Sequence, residues 1–85
     1  MAYTVELNSA AKREYSRLEH SISTRVSEVI DALEDNPRPP GCLKLSGKGH
    51  EYRLRVGVYR ILYSIDDGIR LVSVKRIQHR REVYR

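Results

Sequence analysis

The chain has 85 residues, a hydrophobic fraction of 40% and a formal net charge of +5. This length and apolar content predict one small folded domain over residues 1–85 and exclude both a second domain and an intrinsically disordered chain. The single cysteine, Cys42, excludes an intramolecular disulfide, and the N-terminal residues lack the apolar run of a signal peptide or membrane span, so we expect a cytoplasmic protein.

The N-terminal half is predicted to form a strand followed by a helical hairpin. Residues 2–7 alternate between apolar and polar side chains, which is typical of a strand. Asn8 or Ser9 is suited to cap a first helix, and Ser21 or Ser23 a second. In the second helix the apolar residues recur at the spacing of one buried face. They are Ile22, Val26, Val29, Ile30 and Leu33.

A proline-rich segment ends this hairpin. Residues 36–41 contain three prolines, which cannot continue a helix and favour extended geometry in the residue before each of them. The segment leads to a short apolar stretch over residues 42–45 and then to a polar loop over residues 46–49.

The C-terminal half is predicted to form an antiparallel meander. Tyr52–Val56 and Tyr59–Ile65 have the pattern of strands joined tightly around Gly57, and the turn at Asp66–Gly68 leads into a strand from Ile69 to about Ile77. The polar residues after this strand are expected to fray. The predicted fold is therefore α+β: an N-terminal strand, a helical hairpin and a three- or four-stranded antiparallel meander, with the helices packed on one face of the sheet.

Positive charge is concentrated on this predicted meander. Residues 44–85 contain eleven Lys or Arg and four Asp or Glu, whereas residues 1–43 contain five and seven. Strand alternation places Arg53, Arg55 and Arg60 on one face, where like charges on neighbouring strands destabilise each other unless an anion is bound. Guanidinium groups match phosphate geometry, so we expect a phosphate-binding face. Arg70 and Lys75 are expected to be ordinary surface charges.

Other common kinds of site are missing from the sequence. Asp66 and Asp67 are adjacent, but Gly68 follows them between two strands, which indicates a solvated turn rather than a metal site. The three histidines have no ligand spacing with one another or with Cys42, which is expected to be a small buried side chain. The loop at residues 46–49 lacks the spacing of a phosphate loop. We therefore predict neither a metal nor another cofactor.

Clustered arginines suit metal-free cleavage of RNA. That reaction needs attack of the 2′-hydroxyl on the adjacent phosphorus, cations for the developing negative charge and a proton donor for the leaving 5′-oxygen. DNA lacks the 2′-hydroxyl, so a site of this kind would act on RNA.

Two segments and the order of elements resemble the RelE branch of the RelE/ParE toxin superfamily. The segments are Tyr52–Tyr63, with the sequence YRLRVGVYRILY, and His79–Arg85, with the sequence HRREVYR. The resemblance covers nearly the whole chain. It implies a toxin of a type II toxin–antitoxin pair, which cleaves mRNA in the A site of the ribosome and is silenced by a RelB-like antitoxin.

The resemblance also implies roles for individual residues. Arg53 and Arg55 match basic residues that bind the RNA backbone and activate the 2′-hydroxyl, and Arg60 matches the arginine that stabilises the scissile phosphate. Arg80 matches the arginine at the leaving oxygen, and Tyr84 matches a tyrosine that stacks on or orients the nucleotide. Further basic or polar residues are expected to contact RNA. They are Lys44, Lys48, Arg76, His79 and Arg81.

Two departures from the family pattern concern proton transfer. Arginine stays protonated in proteins, so Arg53 and Arg55 are unsuited to act as a general base. Gln78 stands where relatives often have glycine. The general base is therefore unassigned, with Tyr84 and His79 as the candidates. Two other functions stay open: a ParE-like poison of DNA gyrase, and a basic module that binds RNA without cleaving it.

Overall fold

The computed structural model describes residues 2–45 and 49–83, which form a two-layer α+β domain. The elements in chain order are β1 (Thr4–Leu7), α1 (Ser9–Ser16), α2 (His20–Ala32), β2 (Leu43–Lys44), β3 (Glu51–Val56), β4 (Tyr59–Asp66), β5 (Leu71–His79) and α3 (Arg80–Val83).

The two long helices begin differently. Asn8 caps α1 as predicted, because its side-chain oxygen accepts a hydrogen bond from the Ala11 N–H at 2.9 Å. The prediction of a serine cap for α2 is wrong: Glu19 is the capping residue and makes no side-chain cap. The Ser23 hydroxyl lies inside the helix instead and donates to the His20 carbonyl at 3.0 Å, which is a common bond for serine within a helix.

The five strands form one sheet in the order β1-β5-β4-β3-β2. Strands β2 to β5 pair antiparallel in succession, so the predicted meander is confirmed with four strands. β1 adds to the free edge of β5 and is parallel to it. The chain passes from β1 through the helical hairpin before it enters the meander, and this long connection makes a parallel pairing possible.

The helices cover one face of the sheet, as predicted. α1 contributes the fully buried Ala11, and α2 contributes Val26 and Ile30 to the same core. The Tyr15 and Ser27 hydroxyls hydrogen-bond to each other and join the two helices. On the sheet, the residues of this face are almost all β-branched, leucine or tyrosine. The buried ones are Tyr52, Leu54, Val56, Ile61, Tyr63, Ile65, Val72, Val74 and Ile77.

On the opposite face of the sheet, called the open face below, neither α1 nor α2 is packed within the described part of the chain. Its register follows from the cross-strand pairs Arg53 with Leu62 and Arg55 with Arg60, which alternate with core pairs such as Leu54 with Ile61. The pairing of β4 with β5 shifts between Leu62 and Tyr63. The open face therefore presents arginines at the end of the sheet where β3 turns into β4.

The prediction that the residues after Ile77 fray is wrong for those that the structure describes. Gln78 and His79 continue β5, and α3 follows directly. The N–H of Arg80 donates to the Val58 carbonyl at 2.7 Å, which joins the start of α3 to the β3–β4 turn. A backbone hydrogen bond between distant segments is a tertiary contact that no local pattern could predict.

The proline-rich segment is fastened to the far end of the sheet by polar contacts, called the Arg38 clip below. Arg38 donates two hydrogen bonds to Asp67, at 3.2 and 2.8 Å, and one to the Tyr52 hydroxyl at 3.1 Å. The Tyr3 hydroxyl also donates to Asp67, at 2.7 Å, and the buried Tyr63 hydroxyl donates to the Pro37 carbonyl at 2.8 Å. Asp67, which follows β4, therefore has a structural role, because it binds both Arg38 and Tyr3.

None of the helices within the described residues has both the length and the apolar character needed to cross a lipid bilayer.

Candidate phosphate-binding site

The candidate site is built around the tight turn between β3 and β4. Val56 pairs with Tyr59, so Gly57 and Val58 form a two-residue loop. Gly57 has φ +60° whereas Val58 has a negative φ, which is the pattern of a type II′ hairpin turn with glycine at its first central position. This turn reverses the chain in the shortest distance and brings the ends of the two strands together.

A shallow pocket of about 240 Å³ lies at this turn. The described residues that line it are Arg55, Gly57, Val58, Tyr59, Arg60 and Arg80. Three of the six are arginines and none is acidic. The volume is below the roughly 300–1,000 Å³ of pockets for drug-sized ligands. A small anionic group that belongs to a larger molecule suits it better than a free organic substrate.

Arg55 and Arg60 are directly opposite each other on β3 and β4. At such positions the Cβ atoms are about 4.5–5.5 Å apart, and two like charges repel each other. Arg55 is exposed, but Arg60 is only 5% exposed. The protein around Arg60 therefore limits the positions that its guanidinium can take.

Arg80 comes to the same pocket from a different part of the chain. It is the first residue of α3, and its backbone bond to Val58 fixes it beside the turn. Three predicted site residues, separated by up to 25 positions in sequence (80 − 55), therefore lie around one pocket. Arg53 is half-buried two residues before Arg55 on the same face, next to this group.

Arg76, another predicted RNA contact, binds an acidic residue of α1 and is not among the described residues that line the pocket. Its guanidinium donates to Glu14 Oε2 from Nε at 3.0 Å and from Nη2 at 2.7 Å. Glu14 also accepts the N–H of Ile77 at 2.7 Å, at an edge of β5 that β1 is too short to cover. Arg76 is thus part of the contact between α1 and the sheet, and its charge is matched by an acid.

The remaining predicted RNA contacts are scattered. Lys44 pairs with Tyr52, whose side chain is in the core, so strand alternation places Lys44 on the face away from Arg53 and Arg55. Arg81 is exposed on α3, and its N–H donates to His79. Lys48 and Tyr84 lie outside the described residues.

Arg25 is a neighbour of the site that the sequence did not reveal. It lies on α2, yet its guanidinium packs over the β3–β4 turn: a Cβ atom built on Gly57 would be 3.4 Å from Arg25 Nη1. No carboxylate among the described residues forms a salt bridge with Arg25. A helical pattern identifies Arg25 only as exposed, and no local feature links it to a turn more than thirty positions away (57 − 25).

The arrangement is suited to binding and stabilising phosphate. Guanidinium groups form charge-assisted, often bidentate hydrogen bonds with phosphate oxygens. Positive groups fixed in place before the reaction also stabilise the extra negative charge of a pentavalent phosphorus. This group of arginines is therefore a candidate site for a phosphodiester backbone.

Comparisons with known proteins show the family to which this chain belongs. Residues 4–84 match the family described as "ParE toxin of type II toxin-antitoxin system, parDE". Toxin RelG of Mycobacterium tuberculosis is 33% identical over 86 residues, an alignment that covers all of this chain and 99% of RelG.

Solved structures extend the similarity to the fold. A chain of the archaeal RelE–RelB complex from Pyrococcus horikoshii OT3 has a TM-score of 0.85 and 28% identity, over 94% of this chain and 97% of that one. A chain of the toxin–antitoxin complex RelBE2 from Mycobacterium tuberculosis has a TM-score of 0.81 and 30% identity, over 93% and 99%. These values confirm the α+β fold predicted from the sequence.

Proposed function

Because the chain belongs to the RelE/ParE superfamily of type II toxin–antitoxin toxins, we propose that it is a RelE-type endoribonuclease that cleaves mRNA in the A site of the ribosome. The observation that supports this activity is the meeting of Arg55, Arg60 and Arg80 at one pocket whose described lining contains no acidic residue. A phosphodiester bound there would have cations on several sides. We also infer that the protein acts in the cytoplasm, where translating ribosomes are found.

The proposed reaction is attack of a 2′-hydroxyl on the adjacent phosphorus. The 2′-oxygen forms a bond to phosphorus and loses its proton, while the bond to the 5′-oxygen breaks and that oxygen gains a proton. Arg60 stabilises the charge on the phosphate, Arg80 acts at the leaving oxygen, and Arg53 and Arg55 hold the backbone and the attacking hydroxyl. Tyr84 stacks on or orients a nucleotide and is the candidate for the proton acceptor.

This chemistry requires no metal ion at the site. Its products have 2′,3′-cyclic or 3′-phosphate ends and 5′-hydroxyl ends, whereas hydrolysis at a two-metal site typically leaves 5′-phosphate ends. The ribosome itself needs Mg²⁺, so removing the metal is no clean test. The ends of the product identify the mechanism instead.

An antitoxin is the second proposed partner. Relatives of this chain were crystallised in RelE–RelB and RelBE2 complexes. We propose that an acidic or amphipathic segment of a RelB-like antitoxin covers the arginines of the open face or docks against the helical hairpin of α1 and α2. Co-expression of the antitoxin should abolish toxicity.

The match to a family described by ParE favours one other function, poisoning of DNA gyrase. The two functions predict different products in purified systems. A RelE-type toxin cuts mRNA on translating ribosomes and leaves DNA supercoiling unchanged. A gyrase poison inhibits supercoiling and produces no RNA ends.

The deciding experiment is incubation of the purified protein with translating ribosomes and mRNA, followed by mapping of new 5′ ends and analysis of their chemistry. Cuts within A-site codons with 5′-hydroxyl ends support the proposal. Binding to RNA that weakens steeply with salt but gives no cuts indicates a module that binds RNA only. Gyrase inhibition without cuts replaces the proposal with the ParE-like function.

A further inference from the structure

The imidazole of His79 faces the start of α3. Its Nδ1 atom accepts a hydrogen bond from the backbone N–H of Arg81 at 3.1 Å. α3 begins at Arg80, so His79 is the residue before the helix and Arg81 is the second residue within it. A side-chain acceptor at this position that bonds the N–H two residues later is the geometry of an N-cap.

The ring of His79 is held by a second contact. It packs edge-on against the ring of Tyr59, with 5.2 Å between centroids and an angle of 79° between the planes. Tyr59 pairs with both His79 and the buried Val56, so strand alternation places this ring pair on the face opposite Arg60. The Nδ1 atom of the imidazole is thus directed at the backbone of α3, and His79 is not among the described residues that line the phosphate pocket.

The hydrogen bond also determines which ring nitrogen carries the proton when the imidazole is neutral. An Nδ1 that accepts a bond has no proton, so a neutral ring has its proton on Nε2. The one lone pair available for proton transfer is then occupied by the Arg81 N–H. This arrangement is unsuited to a general base and well suited to a cap.

α3 depends on such support. It has four residues, and a helix this short does not form by itself in water. Its described attachments are the His79 cap and the bond from the Arg80 N–H to the Val58 carbonyl. Since Arg80 lines the pocket, the position of its guanidinium depends on α3 being formed.

We propose that His79 is a positioning residue: the Nδ1 atom of its imidazole caps α3 and thereby holds Arg80 at the phosphate pocket. The effect on RNA cleavage rests on the function proposed above, whereas the effect on α3 is a property of the free protein. The two are tested separately.

Three substitutions distinguish the cap from the other roles of a histidine. His79→Asn replaces the cap with one of the side chains most favoured at this position but has no ring and cannot act as a base. His79→Phe keeps a ring to pack on Tyr59 but has no acceptor. His79→Ala removes both, and thermal melting of each variant checks that the domain is folded.

We expect His79→Asn to cleave mRNA at close to the wild-type rate, and His79→Phe and His79→Ala to lose about fivefold or more in kcat, which is the change in helix population expected when a cap is removed. KM should change little, because Arg80 acts in the transition state. Full activity of His79→Phe would overturn the cap, and inactivity of both His79→Asn and His79→Phe would assign the imidazole itself to proton transfer or RNA contact.

The effect of His79 on α3 can also be measured in the free protein, without RNA. Ring ¹⁵N chemical shifts of the free protein should show His79 with its proton on Nε2, and backbone shifts should show residues 80–83 helical in wild type and His79→Asn but not in His79→Phe. A proton on Nδ1, or a helix that is equally formed in all variants, would refute the cap. Absence of cleavage by the wild-type protein would instead refute the proposed function alone.

Discussion

Arginines lie at both ends of β4, and they have different partners. At the β3–β4 turn, Arg55, Arg60 and Arg80 line a pocket, and none of its described lining residues is acidic. At the other end, about 25 Å away for a strand of eight residues, Arg38 forms a salt bridge with Asp67 at 2.8 Å. The same type of side chain thus occurs once with a carboxylate partner and once among other cations.

The difference indicates what each region is for. The Arg38 clip matches the charge of its arginine within the protein, and it fastens the proline-rich segment and the N-terminal Tyr3 to the sheet. At the turn, Arg55 and Arg60 lie on directly opposite positions of two strands, where like charges repel each other. An anion bound between them would reduce this repulsion, which agrees with the phosphate-binding role proposed above, whereas the clip serves the fold.

Substitutions at the two ends should separate activity from stability. Arg60→Ala and Arg80→Ala are each expected to lower the rate of mRNA cleavage by about a hundredfold or more, the usual effect of removing one preorganised charge stabiliser. Arg38→Ala should leave the rate nearly unchanged and lower the melting temperature. The measurements are single-turnover cleavage on translating ribosomes and thermal melting.

Two controls accompany this comparison. Arg60→Lys keeps the charge of the buried side chain but loses its bidentate geometry, so an intermediate rate is expected. Arg70→Ala removes an exposed arginine outside the pocket and should have almost no effect. Equal losses for Arg60→Ala, Arg70→Ala and Arg38→Ala would mean that the cluster acts only through overall charge.

Removing one hydroxyl should weaken the end that contains the clip. The Tyr63 hydroxyl donates to the Pro37 carbonyl, and burial raises the pKa of Tyr63, so the group stays neutral. Tyr63→Phe is expected to lower the free energy of unfolding by about 1 kcal/mol, or roughly 4–8 °C in Tm for a domain of this size. Cleavage should be unchanged, and a variant as stable as the wild type would show that the bond contributes nothing.

Arg25 tests how far the cationic region extends around the turn. Arg25→Ala should weaken binding of RNA and reduce the slope of log affinity against log salt by about 1, as expected for one lost phosphate contact. kcat should stay the same. Arg13→Ala removes the same charge from an exposed position on α1 and serves as the matched control; an identical salt slope for both variants would exclude a local contact at the turn.

The clip should respond to acid. Hydrogen bonds from Arg38, and next from Tyr3, lower the pKa of Asp67 from 3.8 to about 2. A carboxylate with a lowered pKa in the folded state stabilises the protein above its ordinary pKa, and this contribution is lost as the pH falls from about 4 to 2. Melting temperatures over this range should fall less in Asp67→Asn than in the wild type, and parallel curves would contradict the assignment.

The order of the elements could be predicted because each depends on residues close together in the chain. Alternation identifies β3 and β4, the three prolines end the helical hairpin, and Asn8 before α1 is a local cap. The parallel pairing of β1 with β5 could not be predicted in the same way. It depends on which sheet edge is left free after the meander has formed.

The candidate site was predictable in part for the same reason. Arg53, Arg55 and Arg60 share a face through simple strand alternation and one tight turn. Arg80, Arg25 and His79 lie near that turn because α2 and α3 pack around it. No local sequence pattern predicts this packing. The resemblance to RelE toxins named Arg80, but it did not say what holds Arg80 in position.

The sequence alone determined the charge, the alternation and the turns, and hence a sheet with arginines on one face. Only the tertiary structure decided which of these charges are matched by acids. Arg76 and Glu14 are 62 residues apart, and Arg38 and Asp67 are 29 apart, so each pair forms only when the helices and loops have packed on the sheet. Whether an arginine is neutralised or available to a ligand depends on what lies beside it in space, and that is set by the packing of distant segments rather than by its neighbours in the chain.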